Sequence, residues 1–75
     1  MDLFKSKAEK ELDAILADLR GYLGNNYKDM AHDSRKKLGE RCERLYAEGR
    51  LKEKAYLKYK KLFEEYTESM KDYHH

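Results

Sequence analysis

Apolar residues recur along this chain at steps of three and four, the spacing that gathers them on one side of an α-helix. The first run is Phe4, Ala8, Leu12, Ile15, Leu16, Leu19, Tyr22 and Leu23, with Glu9, Lys10, Glu11, Asp13 and Asp18 on the flanks and far side. Leu3 falls off the stripe, and Asp2 is the expected N-cap, an acidic group at the positive end of the helix dipole. Gly24-Asn25-Asn26 then breaks the pattern with residues that tolerate a left-handed backbone, and Asn25 or Asn26 is expected to cap the next helix. The second run is Tyr27, Met30, Ala31, Ser34, Leu38, Cys42 and Leu45, closed by Glu48-Gly49. The third starts near Leu51 and continues through Ala55, Tyr56, Tyr59, Leu62, Phe63, Tyr66, Met70 and Tyr73, six of which are spaced 3-4-3-4-3 as a short heptad-like seam.

These stripes predict helices over residues 2–23, 26–48 and 51–73 of a single helical domain. Joints this short favour antiparallel neighbours, so the expected fold is all-α, an up-down-up three-helix bundle built of antiparallel helical hairpins. An open arrangement completed by homodimerisation would show the same three stripes. The chain has no Pro and no Val, and only Ile15 and Thr67 represent the remaining β-branched residues, which argues against any sheet.

Composition narrows the function. Nine aromatics and a net charge of +2 among 75 residues are unlike a disordered chain. The longest apolar run, Ala14-Ile15-Leu16-Ala17, falls far short of the roughly 18 residues of a membrane span, and no secretory leader is visible. A single cysteine, Cys42, fits a reducing compartment, and a cytoplasmic location is expected. Catalysis needs a nucleophile beside a base, carboxylates in contrasting environments, or a metal. Cys42 and His32 are the one thiol–imidazole combination. Ten residues of one helix hold them about 15 Å apart, and Cys42 lies on the apolar stripe as a core residue. Asp29-x-x-His32 is a single acid–histidine pair, whereas helical di-metal sites use two such pairs and two further glutamates. His74-His75 is either a site for adventitious metal or the remnant of a purification tag, and is set aside. No glycine pattern forms a phosphate loop. The expectation is therefore a non-enzymatic protein without cofactor or metal. Gly39, inside the second helix, costs about 1 kcal/mol relative to alanine; it predicts a close approach by a backbone or an aromatic ring, from Tyr46 or a tyrosine of the third helix.

Two surfaces remain. Seven tyrosines without a tryptophan exceed what a thin core requires, and half-exposed tyrosine suits an interface. Leu57 projects away from the seam, and Arg41 borders the second stripe, where it is either a contact residue or a stem covering the core edge. Tyr56, Leu57, Tyr59, Tyr66 and Tyr73, with Arg41 and Tyr46, are thus the expected protein-contact set, for another protein or a second copy. In the second case Tyr59→Ala with Tyr66→Ala should give a folded monomer. The alternative is a nucleic-acid surface of Arg50, Lys52, Lys54, Lys58 and Lys61, interleaved with Tyr56 and Tyr59. It is the weaker reading, because Glu64, Glu65, Glu68 and Asp72 follow at once.

Overall fold

A computed structural model describes residues 5–74, so Asp2, Leu3, Phe4 and His75, all named above, lie outside the described residues. Three helices follow one another: α1 (Lys7–Gly24), α2 (Lys28–Ala47) and α3 (Glu53–Ser69). Among the described residues there is no strand, and the three helices form the expected bundle.

The helix ends show how the chain is punctuated. α1 begins at Lys7, later than the stripe suggests, because Ser6 and Glu9 form a capping box: Ser6 Oγ accepts from Glu9 N (3.1 Å) and Glu9 Oε1 accepts from Ser6 N (3.4 Å). Its far end is a Schellman turn. Asn26 takes the left-handed conformation (φ 58°), its N–H donates to the Leu23 carbonyl, and Tyr27 N–H donates to Tyr22 O. The Tyr22 and Tyr27 rings, 6.4 Å apart, supply the apolar contact usual to that turn. Asn26 is therefore spent ending α1 and does not cap α2, whose N-cap is Tyr27 with no side-chain bond. The same turn recurs after α2, with Gly49 at φ 73° and Arg50 N–H donating to Leu45 O.

α2 is the central helix. α1 and α3 both pack closely on it, while their own backbones scarcely approach each other. Ala8, Leu12, Ile15, Leu16, Leu38, Cys42, Leu45, Leu51 and Tyr59 make the main core. Leu19, Ala31 and Met70 form a second, smaller cluster at the end where α1 meets α2, covered by Tyr22, Leu23, Tyr66 and Tyr73. Every member of the third stripe is buried or half-buried. Two members of the second are not: Tyr27 and Met30 are about half exposed, because Ala31 alone of that first turn lies beneath Leu19 and Met70. Among the described residues no helix is long and apolar enough to cross a membrane.

Candidate functional site

The tyrosines turn out to be structural bridges. Because α1 and α3 stand apart, Tyr59 and Tyr66 fill the gap between them, while Tyr56 ties α3 to α2 and Tyr73 reaches the first joint; each needs a partner for its hydroxyl. Tyr59 is fully buried; its hydroxyl donates to Asp13 Oδ1 (2.7 Å) and lies 3.3 Å from the Glu9 carbonyl oxygen. Tyr66 accepts from Arg20 Nε of α1 (2.9 Å). Tyr73 donates to Asn26 Oδ1 (2.8 Å), its carbonyl accepts from His32 Nε2, and Lys28 lies over its ring. Tyr56 donates to Glu43 (2.9 Å to Oε2), and Lys60 donates to both Glu43 and the Tyr56 hydroxyl. The tyrosines of the third stripe thus serve the bundle's own assembly. Tyr59 drops out of any contact surface, and the Tyr59→Ala, Tyr66→Ala pair would open a core cavity instead of freeing a monomer.

Arg41 is likewise engaged. Its guanidinium forms a forked ion pair with Glu11 of α1, at 2.5 and 3.1 Å. The bond to Arg41 holds the Glu11 carboxyl below its ordinary pKa. Burial on its own raises the Asp13 carboxyl, but bonds from Lys5 and Tyr59 outweigh it and leave the pKa lowered. Glu43 is lowered by Lys60 first and Tyr56 second. Burial pushes the Cys42 thiol up, and Sγ sits 3.8 Å from the Tyr56 carbonyl, so the thiol is protonated and shielded. Among the described residues no three His, Cys, Asp or Glu side chains gather as a metal site.

Gly39 meets an aromatic ring, but the ring is Phe63 and not a tyrosine: a Cβ at position 39 would lie 2.6 Å from Phe63 Cε1. That contact floors a shallow, mostly apolar groove of about 660 Å³ between α2 and α3, completed by Ala47 and rimmed by Arg35, Lys36, Glu40, Glu43 and Arg44. At Glu43 the groove joins the Tyr56–Lys60 cluster, where Tyr46 stacks on Tyr56 (3.9 Å, 10° between planes) and is itself 38% exposed. Neither the groove nor Phe63 as its floor was marked by the repeat of apolar positions, since a groove is read from what two helices leave uncovered between them. Gly39 was the one signal in the sequence.

The basic residues are only partly gathered. Lys52, Lys54 and Lys58 border a notch with Glu9 and Ala55, Arg50 faces Glu48 (3.6 Å), and Lys61 sits among Glu64, Glu65 and Glu68. A base could not stack on Tyr59, which is covered by Lys58. Leu57, 57% exposed, stands on the outer face of α3. Comparison with known proteins finds no matching family model, no similar curated protein and no similar solved structure, so the arrangement of these side chains is what bears on function.

Proposed function

We infer that the chain is a non-enzymatic interaction module, working in a reducing, cytoplasmic setting, that docks a protein partner on its α2–α3 face. The observation that carries this is the open groove floored by Gly39, Ala47 and Phe63, beside the stacked and half-open Tyr46. Its shape suits one or two apolar side chains of an amphipathic helix, and the mixed charges of Arg35, Lys36, Glu40 and Arg44 provide a polar rim around them. Glycine at position 39 supports the reading as well, because it accepts a helix-propensity cost to seat the ring that forms the floor.

Photo-crosslinking tests it. A crosslinking residue at Ala47 should capture a discrete partner in cells, and the same residue at Ala17, exposed on α1, should not. Ala47→Arg should abolish the adduct formed from Glu40 while leaving the melting temperature unchanged. Equal capture from both helices, or an adduct indifferent to Ala47→Arg, would remove the groove from the function.

A further inference from the structure

The outer face of α3 carries a charge pattern of which the bundle itself uses little beyond Lys58. Lys54, Lys58, Lys61, Glu65, Glu68 and Asp72 follow one another at steps of four and three, and all six are exposed. The first five lie on one stripe of α3, and Asp72 sits in the turn just beyond it. The stripe is basic in its first half and acidic in its second. That order opposes the helix dipole, which favours acids near the N-terminus and cations near the C-terminus; the last turn of α3 contains no basic residue. Local helix stability therefore does not explain it.

Ties to the rest of the chain do not explain it either. Among the described residues Lys54, Lys61 and Glu65 form no ion pair within the chain; Glu68 meets only Lys71 (2.8 Å), with both side chains well exposed, and Lys58 rests over the Tyr59 ring, where its charge adds a minor share to the lowering of the Asp13 carboxyl.

The pattern is self-complementary about position 63. Glu65 stands as far after it as Lys61 stands before it, and the same holds for Glu68 with Lys58 and for Asp72 with Lys54. We propose that the outer face of α3 binds a second copy of this chain, antiparallel and across a twofold axis at Phe63, so that each lysine faces a carboxylate of the other copy. An antiparallel neighbour also sets each acidic half beside the positive end of the other helix, which turns the unfavourable dipole order into a favourable one. In this register Leu57, exposed beside Lys54 and Lys61, falls opposite Ser69 of the other copy, so the paired charges carry the contact. Exposed ion pairs are individually weak and screened by salt, so the dimer is a low-affinity, low-salt species. This surface is separate from the α2–α3 groove.

Sedimentation equilibrium of the full chain over a protein concentration series is the test. In low salt the mass should rise toward that of a dimer, and in about 1 M salt, where the Debye length falls to about 3 Å, it should return to the monomer. Lys58→Glu with Lys61→Glu reverses the net charge without enlarging it and should abolish self-association. Glu65→Lys with Glu68→Lys should do the same. An equimolar mixture of the two double variants should form a heterodimer, since every position is then matched, while Ala47→Arg should self-associate like the parent chain. Circular dichroism establishes that each variant keeps its helices. A chain that stays monomeric at every concentration in low salt, a dimer indifferent to salt, or a mixture that fails to pair would overturn the proposal.

Discussion

The Phe63 ring lies over Gly39 so closely that an added methyl group would sit between 2.6 and 3.0 Å from three of its carbons. Gly39→Ala gains about 1 kcal/mol of helix propensity but forces the ring aside, and overpacking of this kind costs about 1–3 kcal/mol. The expected net effect is a loss of about 1 kcal/mol in urea unfolding. In a Phe63→Leu background the same substitution should become stabilising; if it remained costly, the ring contact would not be why glycine stands there. Tyr59→Phe removes one hydroxyl that is itself buried and bonded to a part-exposed carboxylate, and a loss of about 1.5 kcal/mol, the low end for a bond to a charged group, is expected. Tyr59→Ala, at about 3–5 kcal/mol, should unfold so small a chain, which a circular dichroism melt would reveal. What could be read at this scale was which positions are apolar, and Cys42 and Gly39 were legible from their place on or beside a stripe. Whether a tyrosine is an interface or a core residue was not legible, because that depends on the distance between α1 and α3, and no single-helix pattern contains it.

At the level of elements, the boundaries follow local chemistry more closely than the apolar repeat. Ser6 with Glu9 starts α1, and a sequence reading that followed the stripe back to Phe4 passed over that pair, although Ser-x-x-Glu is itself a visible capping signal. Ser6→Ala should cost about 1 kcal/mol and lower the melting temperature by about 4–8 °C, as read in a calorimetric scan. An unchanged temperature would mean that the Ser6–Glu9 box does not stabilise α1. Gly49 was legible as the stop after α2, while the first joint divided its roles unexpectedly, with Asn26 ending α1 and nothing bonding as a side-chain cap to α2. The reason is that one residue cannot hold the left-handed turn of the first helix and the extended cap of the second at once.

For the whole molecule, the partnered carboxylates make stability depend on acid. Glu11, Asp13 and Glu43 all have their pKa lowered in the folded chain, so the stabilisation they bring is complete above the ordinary carboxylate range and is lost as pH falls through their folded values. Melting temperature should therefore be flat down to about pH 5 and fall below about pH 4. Asp13, tied to the buried Tyr59, and Glu11, forked to Arg41, should both contribute, so that Asp13→Asn or Glu11→Gln flattens the profile; Glu43, the most exposed of the three, should contribute less. The all-α bundle was legible from three stripes and two breaks, but its asymmetry was not. α2 holds both neighbours, and α1 meets α3 through side chains such as Tyr59 and Arg20. That asymmetry has a kinetic side. Nearly all close backbone approaches join segments adjacent in the chain, which is the condition for rapid folding, and α3 meets α1 mainly through side chains. Amide exchange should accordingly show α3 opening as a unit before the α1–α2 hairpin does, so that the chain breathes by swinging its third helix and exposes Tyr59 whenever it does so.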